Sequence, residues 1–207
     1  TPLKRWQINQ PITPQADQAL SGYPPILRQI LFNRGYATHQ AARQFLQAHS
    51  PADSDPFLLA DMEAAVSRIQ AAVESAQTIA IYGDYDVDGV TATTLLLEYL
   101  NACGADVIAY IPHRFEEGYG LNKAAISSLR DQGVALIITV DCGIRSLDET
   151  LYARELGVDL VICDHHTPGE ILPEAAAVID PKRPDDVYPE KMLAGVGVAY
   201  KLASALD

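Results

Sequence analysis

Thr78-Ile-Ala-Ile-Tyr-Gly83-Asp84-Tyr-Asp86-Val-Asp88-Gly89 is the stretch on which the fold turns. Residues 78–82 form a mostly apolar run of strand length, bounded by glycine, and suit a strand buried on both faces. The three alternating aspartates and Gly89 then end the strand and open a helix over 89–103, closed by Gly104. A buried strand that turns through a polar loop into a helix is the first half of a βαβ unit.

Outward from this unit the alternation continues. A strand follows at 106–111, and Asn122 is expected to cap a helix that stops at Gly133, ahead of a strand at 135–140. Ser146-Leu-Asp-Glu149 reads as a capping box opening a helix to Gly157, followed by strands at 159–163 and 177–180 and a last helix from about 195. Upstream, Asp61 reads as the N-cap of a helix carrying Met62, Val66, Ile69 and Val73 at helical spacing. Strands joined through helices predict an α/β domain over 61–207, a mostly parallel sheet with helices on both faces. Residues 1–60 differ. Pro2, Pro11, Pro14, Pro24, Pro25, Pro51 and Pro56 punctuate two helical patterns, near 24–33 and 38–48, which predicts a small, mainly helical N-terminal appendage.

With 207 residues, 48% of them apolar, the chain has ample core material. It contains no run of 18 apolar residues, and residues 1–10 lack the three regions of a signal peptide, so the expectation is a cytoplasmic protein without a membrane partner. Cys103, Cys142 and Cys163 form no CxxC pair, which argues against both a disulfide framework and a thiolate zinc site. Fifteen basic against 27 acidic residues give a net charge of -12, the opposite of a general nucleic-acid footprint. That argument weakens where acids cluster around cations, because the metals then set the local field.

The acids do cluster. Strand 78–82 runs into Asp84, Asp86 and Asp88, strand 135–140 into Asp141, and strand 159–163 into Asp164-His165-His166. In open α/β sheets the carboxyl ends of parallel strands share one edge, where ligands bind. Five carboxylates and two imidazoles brought together would repel unless cations neutralised them. Carboxylate and imidazole ligation without thiolate suits manganese or magnesium, and an aspartate shared between two ions is the geometry used for phosphoryl hydrolysis. Each piece also has a plainer reading. Asp84-x-Asp86-x-Asp88-Gly89 matches the opening of an EF-hand calcium loop, but position 12 is Leu95 and a strand precedes it. A lone Asp141 suits a helix cap, and paired histidines are often solvated or core residues.

These clusters, in this order, resemble the DHH phosphoesterase family, with Asp164-His165-His166 supplying the name. His113-Arg114-Phe-Glu-Glu-Gly118-Tyr119-Gly120-Leu-Asn122, Leu193-Ala-Gly195-Val-Gly197-Val-Ala199 and the appendage segment Pro24-Pro25-Ile-Leu-Arg28-Gln-Ile-Leu-Phe-Asn-Arg34-Gly35 are similar to segments of the RecJ-type exonuclease branch. The resemblance implies Asp86, Asp88, Asp141 and His165 as ligands of two divalent ions, Mn2+ or Mg2+, with Asp141 bridging. It implies Asp84 as a supporting or direct ligand, His166 beside the scissile phosphate or its water, and Asp164 orienting an imidazole. Arg114 would clamp a phosphate, the alternative being a surface salt bridge. Tyr119 would stack a DNA base, the alternative being an ordinary buried tyrosine.

The implied activity is two-metal hydrolysis of single-stranded DNA from the 5′ end, releasing 5′ mononucleotides in DNA repair and recombination, with single-strand-binding protein or a helicase as partners. Gly195 and Gly197, at a helix start, either admit a phosphate or permit close packing. The family core carries a further metal-ligating aspartate after the 193–199 segment, then a second domain, and this sequence ends at Asp207. The expectation is therefore a fragment, weakly active or inactive alone, with the basic DNA groove in the remainder. Two other readings stay open. One is a DHH phosphodiesterase of oligoribonucleotides or cyclic dinucleotides, or a pyrophosphatase, and the other is a non-catalytic scaffold; against the scaffold, none of Asp84, Asp86, Asp88, Asp141, His165 and His166 is missing.

Overall fold

The computed structural model describes residues 7–47 and 54–207, which fall into two compact units divided between Asp53 and Ser54. In the first unit, helices α1 (Pro14–Ala19), α2 (Pro25–Asn33) and α3 (His39–Leu46) pack around Leu20, Leu31 and Ala42. Thr13 and Thr38 cap α1 and α3 by accepting N–H bonds at 3.2 Å. Helix α1 was not anticipated, although Thr13-Pro14 is a cap followed by proline at the first helical position.

The division lies ahead of residue 60 because 54–60 are tied to the second unit. The Ala60 N–H donates to Asp186 at 2.8 Å, Lys201 donates to the Ser54 carbonyl at 3.1 Å, and Leu59 joins the main core. A 3-10 turn at Pro56–Leu58 leads into α4 (Met62–Glu74).

The second unit is built on a five-stranded parallel sheet of order β2-β1-β3-β4-β5: β1 Thr78–Gly83, β2 Val107–Tyr110, β3 Val134–Val140, β4 Asp159–Cys163 and β5 Ala177–Ile179. Alternation along the strands sorts the core onto two faces. Ile79, Ile81, Leu136, Ile138 and Val161 pack with α4, α5 (Val87–Ala102) and α8 (Gly195–Leu206), whereas Ala80, Tyr82, Ile137 and Leu160 pack with α6 (Lys123–Asp131) and α7 (Leu147–Glu155). The architecture is the α/β one expected, with helices on both faces. In this strand order the chain leaves β1 toward opposite sides, so the switch point lies between β1 and β3. Among the described residues no helix is long and apolar enough to cross a membrane.

Helix termini divide into two kinds. Asn122 caps α6 as expected, accepting from the Ala125 N–H at 2.8 Å. Asp61 and Ser146 precede α4 and α7 without side-chain capping bonds. Asp61 is left-handed (φ 60°), and its carboxylate is taken by the Val178 N–H at 3.1 Å and by Arg183 at 2.7 Å. Ser146 has ψ 63°, away from the extended backbone that aims a capping hydroxyl at the helix amides, so the expected capping box does not form.

Candidate metal centre

The switch point gathers the strand-end residues. After β1, Asp84 is buried at 3% exposure, and its Oδ1 has no hydrogen-bond partner. Asp86 follows as the N-cap of α5, its Oδ1 accepting from the Asp88 and Gly89 N–H groups at 2.9 and 3.0 Å. That cap starts the helix at Val87, two residues earlier than expected, and rules out a calcium loop of EF-hand shape. The bond from Gly89 is the main cause that holds the Asp86 carboxyl below its ordinary value, while burial pushes Asp84 up.

Asp141 stands on the other side of the switch, directly after β3, and caps no helix. It is 2% exposed, left-handed (φ 62°), and has an Oδ1 without a hydrogen-bond partner. That backbone conformation costs a non-glycine residue on the order of 1 kcal/mol and collects at functional sites. Burial, then the charges of Asp88 and Asp86, push its carboxyl up to about 7. Asp164, after β4, is different. Burial would raise it, yet bonds from the His166 ring (2.7 Å) and from the Ile144, His165 and His166 N–H groups (3.0, 2.7 and 3.1 Å) keep it below the ordinary carboxylate range.

The two histidines are oriented from behind. His165 Nδ1 lies 3.0 Å from the Leu193 carbonyl, to which it can only donate. Its Nε2 faces Asp141 Oδ1 at 3.0 Å and Asp88 Oδ2 at 3.4 Å, and in a neutral ring with Nδ1 donating it is the nitrogen whose lone pair a metal would take. His166 gives Nδ1 to Asp164, and that bond raises its pKa. Asp88, which the sequence groups with the ligands, spends both oxygens on α8: the Gly195 and Val196 N–H groups donate to it at 2.6 and 2.8 Å. Gly195 is glycine for close packing, since a Cβ there would lie 2.9 Å from Asp141 Cβ and 3.0 Å from its Oδ1.

Candidate ligand atoms of Asp84, Asp86 and Asp141 lie within 4.8 Å of one another, as do those of Asp141, His165 and His166. Asp141 belongs to both sets. Oxygen and imidazole donors, two buried carboxylate oxygens without partners, and a histidine nitrogen turned toward the acids together fit a hard divalent cation.

Two further predicted residues sit at the rim. Arg114 places its guanidinium 4.8 Å from the centroid of the Tyr85 ring and makes no ion pair among the described residues, so it is not the surface salt bridge weighed above. Tyr119 is 56% exposed rather than buried; its ring meets Tyr85 and His166 edge-on at 6.5 and 6.3 Å, and its hydroxyl donates to the Asp141 carbonyl at 3.4 Å. Sequence reasoning missed Tyr85 and the Leu193 carbonyl. Tyr85 lay between two of the acids, and Leu193 opened one of the glycine-rich segments, but neither carries a chemical signature of its own.

Residues 78–207 match the model of the DHH family, N-terminal domain. The chain is 45% identical over 204 residues to the single-stranded-DNA-specific exonuclease RecJ of Bacillus subtilis, covering 98% of this chain and 26% of that protein. Against RecJ of Escherichia coli it is 38% identical over 184 residues, 88% of this chain and 31% of that one. Among solved structures, an exonuclease RecJ bound to manganese superposes with a TM-score of 0.65 at 37% identity, over 72% of this chain and 37% of that one. RecJ of Thermus thermophilus in complex with Mn2+ gives 0.63 at 30% identity, over 93% of this chain and 26% of that one. The chain thus spans about a quarter to a third of the length of these curated relatives.

Proposed function

This chain belongs to the DHH family, and from that premise we propose that its strand-end acids form the metal centre of a 5′→3′ exonuclease on single-stranded DNA. The observation that carries the reading is the pair of overlapping donor sets sharing Asp141 at the switch point of the sheet. Relatives named single-stranded-DNA-specific exonuclease, and RecJ structures solved with manganese, support the substrate class and the metal of this reading. Because the chain spans a minor part of their length, the activity proposed is that of a protein of the relatives' length containing these residues.

Asp84, Asp86, Asp141 and His165 would hold the cations, Mn2+ or Mg2+, with Asp141 between two of them. Asp88, in the first turn of α5, accepts the first amides of α8, fixing that helix start against Asp141, and faces His165. Such cations supply Lewis acidity toward a water and toward the departing 3′ oxygen. His166, kept by Asp164 with Nδ1 protonated, presents Nε2 to the scissile phosphate or its attacking water. Arg114, held over Tyr85, offers a planar pair of donors to a phosphate, and Tyr119 offers a ring to a base. On this reading the protein would act in the cytoplasm, in DNA repair and recombination beside other single-strand-handling proteins.

The test is an assay of the chain, and of a full-length protein containing it, on a 5′-labelled single-stranded oligonucleotide and on a cyclic dinucleotide. Each is run with manganese, magnesium or chelator, with Asp141→Ala as control. Mononucleotides released from DNA only with metal, and lost in Asp141→Ala, support the proposal. Cleavage of the cyclic dinucleotide alone would replace it with a small-molecule phosphodiesterase.

A further inference from the structure

We propose that a cleft beside His166 holds the base of the nucleotide whose phosphate lies at the metal centre, an assignment that rests on the phosphodiester chemistry proposed above. The cleft has a volume of about 420 Å3, inside the range of roughly 300–1,000 Å3 typical of small-ligand pockets. Asp164 and His166 form part of its wall, so it opens directly onto the group placed at the scissile phosphate.

Its lining is that of a site for a flat, neutral, hydrogen-bonding ring. Tyr119 supplies an aromatic wall already fixed by its hydroxyl on the Asp141 carbonyl and by its edge contact with His166. Leu121 and Ile144 are the apolar surfaces, both buried. At the start of α7, Arg145, Ser146 and Glu149 bring donors and acceptors together. Arg145 is tethered through Nε to the Thr167 carbonyl at 2.8 Å, which leaves its terminal nitrogens as donors. Ser146 makes no capping bond, and among the described residues Glu149 makes no ion pair.

A second phosphate is a poor fit, because the Glu149 carboxylate would face it. A nucleobase carries donors and acceptors on one edge and no charge, and its faces stack on aromatic rings whatever the base. It is also the part of a nucleic acid that a chain of net charge -12 can hold without repulsion. The cleft therefore takes purines and pyrimidines alike, with Arg145 and Glu149 addressing their edges.

The experiment is calorimetric titration of the full chain, in manganese buffer, with deoxyadenosine 5′-monophosphate and with 1,2-dideoxyribose 5-phosphate, the same sugar phosphate with hydrogen in place of the base. The nucleotide is expected to bind about tenfold more tightly, the scale of one base stacked on an aromatic side chain. Ser146→Phe, filling the cleft from a partly exposed position, should erase that difference and leave the sugar phosphate affinity unchanged. Arg145→Ala, at an exposed side chain, should narrow it. Equal affinity for the two ligands in the wild type, or a difference that survives Ser146→Phe, overturns the assignment. Release of nucleotides from DNA is measured separately: its failure with the tenfold difference intact would remove the nuclease reading and leave the base site standing.

Discussion

Gly89 brings the first turn of α5 so close to Asp84 that a Cβ would sit 2.4 Å from the Asp84 carbonyl oxygen and 2.6 Å from its nitrogen. Both atoms are backbone, so the turn itself must move. Gly89→Ala is expected to lower stability by about 1–3 kcal/mol, the usual range for forced overpacking, and to displace Asp86 from its cap; chemical denaturation and a metal titration read the two effects. Asp180, at the end of β5, allows a pH test away from the proposed ligands. It is fully buried with Oδ2 unpartnered, and burial, then Asp164 and Asp186 against Lys182, pushes its carboxyl up to about 7. A carboxyl whose folded pKa lies above the unfolded value near 4 favours the folded state at low pH, and loses that favour as pH rises to about 7. Asp180→Asn should therefore flatten the fall of melting temperature between pH 4 and 7, and an unchanged slope would place the titration elsewhere. At this scale the sequence was readable where chemistry is written in the side chain. Asp84, Asp86, Asp141, His165 and His166 all arrived where strand ends put them, whereas the Leu193 carbonyl and the Tyr85 ring act by position alone.

The segment 113–121 between β2 and α6 carries Arg114 and Tyr119, and it is fastened at both ends. The Tyr110 hydroxyl and the His113 N–H both donate to Glu117, the latter at 2.6 Å, while the Tyr82 hydroxyl donates to the Gly120 carbonyl at 2.9 Å and accepts from Asn122 at 3.1 Å. Removing the Glu117 carboxylate frees the front half of the loop, which carries Arg114. Glu117→Ala should raise KM for single-stranded DNA about tenfold with little change in kcat, the signature of lost substrate positioning. If it acts through Arg114, the double variant Glu117→Ala/Arg114→Ala should be no worse than Arg114→Ala alone; additive losses would make Glu117 an independent contributor. Element boundaries were readable where capping is local, as at Asn122. They were misread at Asp61 and Ser146, because the partners that displaced local capping are Val178 and Arg183 for Asp61 and an irregular backbone angle for Ser146.

For the second unit as a whole, the strand order could not be read from periodicity, since alternation fixes the βα pattern and leaves open where each strand is inserted. That order is what carries Asp141 next to Asp84 and Asp86, and with it comes a cost in stability. A left-handed backbone, two buried unpartnered oxygens and several like charges are concentrated at one sheet edge. Without cations this edge opposes folding; with them the same groups become ligands. Asp141→Asn separates the two effects, because asparagine tolerates the left-handed backbone and keeps the shape while removing the charge. At pH 8 in chelator the variant should melt above the wild type, since a carboxyl with a folded pKa of about 7 is held ionised there against its environment. Manganese at a hundred times its Kd should stabilise the wild type by about 2.7 kcal/mol, roughly 5–10 °C for a unit of this size, and should hardly move the variant. A variant that melts below the wild type in chelator, or that keeps the full metal-induced rise, would show that Asp141 is a structural residue, and that the cations are held by the other acids.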